Sequence, residues 1–180
     1  MLVRSPRRFF VIVPVLVAAL VLVVAAPASG QSSGVCSLVT RREAGKLLRA
    51  KVVKTEKDES PANGAQQCTY TTKKVVKELK DQGLKLKLQV TVQPITDELR
   101  TKLQDIPFDD GSRLQGLGDE AYVTKFSQVI AVSGDIVLAA KPQNYSGAST
   151  KIRGIGEGAV RAALPRLDQV TVNPPAGPSS

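Results

Sequence analysis

The ten residues from Leu84 to Gln93 restrict the fold more than any others in the chain. Leu84, Leu86, Leu88, Val90 and Val92 alternate strictly with Lys85, Lys87, Gln89, Thr91 and Gln93. A period of two puts one row of side chains on each face of a strand, so one face meets a core and the other meets water. Strands of parallel sheets are covered on both faces and read as unbroken apolar runs. The pattern therefore calls for an antiparallel sheet, with Pro94 closing this strand.

The rest of the chain supplies partners for that strand. Thr40-Arg41-Arg42-Glu43 fits a capping box, and Ala44, Leu47 and Leu48 continue it as a helical stripe, so a helix is expected over roughly 41–49. Lys51 to Thr55 is a short strand candidate. Ser60-Pro61 and Asn63-Gly64 mark a loop over Lys57 to Gln66. Gln67 to Thr72 reads as a strand with Cys68 and Tyr70 on one face, while Lys73 to Asp81 suits either a helical turn or a strand running into a turn. Thr96 to Gln104 reads as a helix, with Asp97 and Glu98 at its positive end and Leu99 and Leu103 on one side. Ala121 to Phe126 is a further strand candidate. Gln128–Val132 and Asp135–Ala140 form a hairpin around Ser133-Gly134. Pro142 to Thr150 reads as a loop, and a last helix lies near Glu157 to Leu164, ended by Pro165. The order is α-β-β-β-α-β-β-β-α. The fold expected is α+β: a mostly antiparallel sheet packed against two or three helices, in a single domain with one disulfide.

The N-terminus reads as an address. Met1 to Arg8 is short and basic, Phe9 to Ala26 is apolar but for Pro14, and Ala26-Pro27-Ala28 has the small-x-small form of a cleavage site. Residues 1–28 are therefore expected to be a signal peptide. Arg7-Arg8-Phe9-Phe10 also echoes the twin-arginine export motif. An uncleaved anchor is the alternative, since 18 apolar residues rise about 27 Å as a helix; membrane contact would then run through residues 9–26. Both readings put the rest of the chain outside the cytoplasm. The division expected is a flexible lead-in at 29–35, an extracytoplasmic domain at 36–167, and a disordered proline-rich tail at 168–180. Lipidation is not expected, because Val35 precedes Cys36 where a lipobox needs a small residue.

Cys36 and Cys68 are the only thiols. In an exported chain an even count implies one disulfide, here closing a loop of roughly 33 residues. A redox pair would want Cys-x-x-Cys beside a βαβ pattern, and neither is present.

Composition removes most catalytic chemistry. The chain has no His and no Trp. That excludes Ser-His-Asp and Cys-His pairs and His-ligated zinc. No metal site and no cofactor are expected. The carboxylate pairs Asp97/Glu98, Asp109/Asp110 and Asp119/Glu120 suit helix starts and turns. Gly154-Ile155-Gly156-Glu157-Gly158 lacks the lysine of a phosphate loop and reads as a flexible helix start. Neither Ser-x-x-Lys nor Gly-x-Ser-x-Gly occurs, although Ser and Lys are plentiful.

Charge points to a contact surface instead. Loss of Arg4, Arg7 and Arg8 with the leader lowers the net charge from +9 to +6. Lys73, Lys74, Lys77, Lys80, Lys85 and Lys87 cluster against only Glu78 and Asp81. They are the candidate contact for an anionic envelope polymer or lipid headgroups. The bland reading is a solvated sheet face whose lysines blunt an edge. A small hydrophobic ligand between sheet and helices is the other partner considered. Nucleic acid is not expected, because the aromatics are scattered rather than interleaved with the basic residues.

Several short motifs fall in a definite order: Cys36-Ser37-Leu38-Val39-Thr40, Cys68-Thr69-Tyr70, Gly116-Leu117-Gly118-Asp119-Glu120-Ala121, and the Ser133-Gly134-Asp135 hairpin. This layout resembles a family of small actinobacterial exported proteins and lipoproteins of unknown function, over roughly residues 35–165. The resemblance implies an α+β domain outside the membrane with Cys36 paired to Cys68. It lends no catalytic residues, and without a lipobox the lipid anchor of many relatives does not carry over. The function expected is a non-enzymatic cell-envelope protein, secreted or membrane-anchored, that binds a ligand or partner. A structural, antigen-like surface protein and a cell-wall or lipid hydrolase are the alternatives.

Overall fold

The computed structural model describes residues 34–60, 64–75, 83–105, 113–145 and 149–172. Two short helices, α1 (Val35–Leu38) and α2 (Arg41–Leu47), lead into three strands, β1 (Val52–Ser60), β2 (Ala65–Val75) and β3 (Lys85–Pro94). Helix α3 (Asp97–Gln104) follows, then β4 (Glu120–Val123), β5 (Val129–Ser133) and β6 (Ile136–Gln143). Helix α4 (Ser149–Ala163) runs into a 3-10 helix at Leu164–Gln169. The strands form one six-stranded antiparallel sheet in the order β1-β2-β3-β6-β5-β4. It consists of two three-stranded meanders joined at a seam, where Lys87 to Pro94 of β3 pair with Gln143 to Ile136 of β6.

The alternation in β3 works as its spacing requires. Leu86, Leu88, Val90 and Val92 are buried, while Lys85 is exposed and Lys87, Gln89, Thr91 and Gln93 are half-buried. Across the sheet, Cys68, Tyr70, Leu138, Ala140, Val129, Ala131 and Ala121 extend that apolar face. Val35, Leu38, Val39, Ala44 and Leu48 cover it from one end of the chain, and Ile155, Ala159, Val160 and Ala163 from the other. The opposite face has a smaller core. There Ile95, Leu99 and Leu103 cover Ile130, Val132 and Val137. The β1-β2-β3 half of that face carries Lys54, Glu56, Asp58, Gln67, Thr69, Thr71, Lys87, Gln89 and Thr91.

Three sets of polar contacts order α1, α2 and the 3-10 helix around the sheet. The capping box forms as expected: Thr40 Oγ1 accepts from the Glu43 amide at 3.2 Å, and the Thr40 amide donates to Glu43 Oε2 at 2.8 Å. The Glu43 carboxylate also takes a two-pronged contact from Arg166, at 2.7 and 2.8 Å, and Arg166 Nη1 donates to the Leu38 carbonyl at 2.9 Å. The buried Tyr70 hydroxyl is held between the carbonyls of Val39 and Cys36. Cys36 and Cys68 form the expected disulfide, which fastens α1 to β2.

Several boundaries differ from those expected. Strand β1 runs to Ser60, five residues past its expected end at Thr55 and into what reads as loop. It is an edge strand, where charges are tolerated, and the ion pairs Lys54–Glu56 and Lys57–Glu59 run along it. Pro142 lies in β6 opposite Leu88, not in a loop. Beyond Ala140 that strand has no β5 partner, so a missing N–H is accommodated. Val35, read as part of a flexible lead-in, is fully buried. Residues 168–172, assigned to the tail, also pack: Val170 is buried and the Thr171 carbonyl accepts from Gln66 Nε2 at 2.8 Å.

Helix α4 begins eight residues earlier than its apolar stripe indicates, so the glycines of Gly154–Gly158 lie inside it rather than at its start. A Cβ at Gly156 would stand 2.6 Å from Val129 Cγ2, and one at Gly158 would stand 2.5 Å from Leu47 Cδ2. Here glycine lets the helix backbone approach the sheet and α2, which outweighs its poor helix propensity. The α-helix stops at Ala163, one residue before the expected end at Leu164, and the chain continues through Pro165 as the 3-10 helix.

Candidate functional site: the basic end of the sheet

The strand register collects most of the lysines at one end of the sheet. At the β2–β3 end, Val75 stands opposite Lys85 and Thr71 opposite Lys87. Lys73, Lys74 and Lys85 are exposed there, and the Lys73 amide donates to the Lys51 carbonyl at 3.1 Å, which brings the start of β1 alongside. One cross-strand row reads Lys54, Thr71, Lys87, Gln143, and the row two residues further on reads Glu56, Thr69, Gln89, Lys141. Lys77 and Lys80 lie outside the described residues. The structure thus brings together Lys73, Lys74, Lys85 and Lys87 of the expected set and adds Lys54 and Lys141. The lysine run could not show those two, because Lys54 lies 19 residues before Lys73 and Lys141 lies 54 residues after Lys87, and only the register places them here.

The electrostatics are one-sided. Lys54 is paired with Glu56 at 2.7 Å. Among the described residues, Lys73, Lys74, Lys85, Lys87 and Lys141 have no carboxylate within ion-pair range. Among the described residues most acids lie toward the other end of the strands, two of them paired there with Lys57 and Lys102. Asp58 and Glu59 close β1, Asp97 and Glu98 open α3, and Asp119, Glu120 and Asp135 occupy the β4 and β5–β6 turns. The sheet therefore carries a charge gradient along its strands. Thr71 is central to the basic row. It is only 8% exposed, and its hydroxyl is the one buried side-chain oxygen or nitrogen among the described residues with no hydrogen-bond partner. A buried hydroxyl without a partner is uncommon in native structures.

The carboxylate pairs do what their positions indicated, so far as they are described. Asp97 and Glu98 occupy the first turn of α3, capped by Thr96, and Glu98 pairs with Lys102. Asp119 Oδ2 accepts from the Gly134 amide at 2.7 Å and so staples two turns together, while Glu120 accepts from the Tyr122 hydroxyl. Asp109 and Asp110 lie outside the described residues. No group of three His, Cys, Asp or Glu that could hold a metal occurs among the described residues. Beside α3, Gln93, Pro94, Thr96, Glu98, Leu99 and Lys102 line a shallow groove of about 360 Å³. A crevice of about 40 Å³ opens between α3 and β4–β5, with Leu103 and Tyr122 in its wall. Among the described residues no helix is long and apolar enough to cross a membrane; residues 9–26 are not among them.

The chain matches no protein-family model, no curated protein and no solved structure.

Proposed function

We propose that this protein is a non-enzymatic module of the cell envelope, acting outside the cytoplasm, that holds to an anionic surface through the basic end of its sheet. The observation that carries this reading is the charge gradient. Unpaired lysines from β2, β3 and β6 converge at one end, and carboxylates collect at the other. Such a field orients the molecule toward negative charge and raises its encounter rate. The basic start, apolar stretch and Ala26-Pro27-Ala28 of the leader support export. The resemblance of its ordered motifs to those of exported actinobacterial proteins supports the same compartment.

Each lysine near an anionic surface contributes up to about 1 kcal/mol at low salt. Reversing Lys73, Lys74, Lys85 and Lys87 to Glu should therefore abolish binding to a soluble anionic polymer such as a polyphosphate. In the unaltered protein binding should weaken steeply as salt rises. Equal binding by the reversed and unaltered proteins, measured by titration calorimetry, overturns the reading.

A further inference from the structure

We propose that the anionic surface is a lipid bilayer and that Phe126 enters it. This rests on the reading of the basic end just given, and adds the kind of surface and the residue that penetrates it.

Phe126 is 70% exposed, far more than any other large hydrophobic residue described; the next, Val53, is 40% exposed. It stands at the tip of the β4–β5 turn, and the turn is built to hold it out. The Thr124 amide donates to the Gln128 carbonyl at 2.9 Å, the Ser127 amide donates to the Thr124 carbonyl at 2.8 Å, and Ser127 takes a left-handed conformation with φ 58°. A non-glycine residue in that region carries strain. Phe126 belongs to neither hydrophobic core. Its ring instead has the Lys125 ammonium 5.2 Å from its centroid. An aromatic ring beside a lysine suits a bilayer interface, where the ring sits at headgroup depth and the ammonium meets phosphate.

The register puts this tip at the basic end. Val123 pairs with Val129, and Val129 with Ala140. From Ala140 the strand β6 runs on to Gln143, opposite Lys87. The β4–β5 and β2–β3 ends therefore point the same way along the sheet, about three strand spacings or ~14 Å apart. Val53 lies at that end too, beside Lys54. A soluble polyanion would be satisfied by the lysines alone and leaves the exposed ring unexplained. One ring is too small an apolar area for a stable protein interface. A bilayer uses both features, and stable attachment to a bilayer takes two weak signals of this kind together.

The chain has no tryptophan, so Phe126→Trp puts a single indole at the tip of the full-length protein. On vesicles of phosphatidylcholine mixed with phosphatidylglycerol, its emission should shift to the blue and be quenched by brominated acyl chains. Neutral phosphatidylcholine vesicles and soluble polyphosphate should do neither. The same tryptophan in the Lys73, Lys74, Lys85 and Lys87 to Glu background keeps residues 9–26 and controls for them; there the blue shift should vanish. If the indole stays water-exposed on anionic vesicles while the lysine reversals still abolish polyphosphate binding, the bilayer inference fails and the charge reading stands. If neither responds, both fail. Equal shielding by polyphosphate and by vesicles makes the polymer the occupant and overturns the inference, as does a blue shift that survives the lysine reversals.

Discussion

Replacing Glu43 by Gln should destabilise the protein by about 2 kcal/mol at pH 7 and by almost nothing at pH 2. Glu43 meets both prongs of Arg166, at 2.7 and 2.8 Å. That contact, opposed in part by burial and helped by the bonds from Thr40, holds its carboxyl at about 2 against an ordinary 4.5. A fall of that size is worth at most ~3 kcal/mol. The two side chains are 30% and 32% exposed, and solvent screening reduces the figure to about 2 kcal/mol. Because the folded-state pKa is depressed, the stabilisation is complete above the unfolded value near 4.5. It is lost as the pH falls from about 5 to about 2. Gln keeps the size of the side chain and can still close the cap, so the substitution removes charge and little else. Urea unfolding of both proteins between pH 7 and pH 2 measures the difference; guanidinium, being a salt, would screen the pair it is meant to probe. A loss that is the same at both ends of that range would show that Glu43 acts through shape and capping alone. A loss below about 0.5 kcal/mol at pH 7 would make the pair an ordinary surface contact.

Two further outcomes test the frame around the site. Replacing Cys36 and Cys68 together by Ala should cost about 3.5–4 kcal/mol in chemical denaturation, the entropy of the loop that their bond closes; a loss under 1 kcal/mol would mean that the unfolded chain already keeps these two segments close. Gly118→Ala should lower the melting temperature by several degrees, because φ is +66° and a Cβ there would collide with the Val132 carbonyl oxygen; an unchanged melt would show that this turn shifts freely.

What could be read in the chain was local. The alternation of Leu84 to Val92 specified β3 and its faces, Ser133-Gly134 marked the β5–β6 hairpin, and Thr40 with Glu43 predicted a cap that forms. These signals depend on neighbours within a few residues. The length of β1 was hidden because its residues are charged, and an edge strand needs no apolar row. The start of α4 was hidden because glycines serving close approach look like a loop. The candidate site was half legible. The run of lysines at 73–87 stood out, whereas Lys54, Lys141 and Phe126 join it only through the register, and the unpartnered Thr71 hydroxyl is visible only once burial is known. Arg166 lies 123 residues from Glu43, a pairing no periodicity reports.

The seam between β3 and β6 has a consequence for how the molecule assembles. Every other pairing in the sheet joins consecutive strands, so its register is found by closing a short loop. The seam alone must bring together residues 42 to 56 positions apart, from Pro94 with Ile136 to Lys87 with Gln143. Such a contact is slow to form, and it sets the pace of folding once each meander exists. The disulfide lies wholly in the first meander and its helices, so oxidation need not wait for the seam. Until the seam closes, each half presents, besides the β1 or β4 edge it keeps, a second bare strand edge with an apolar row beside it. At high concentration those edges pair as readily with a second copy as with each other, and the product is a dimer that has exchanged its halves.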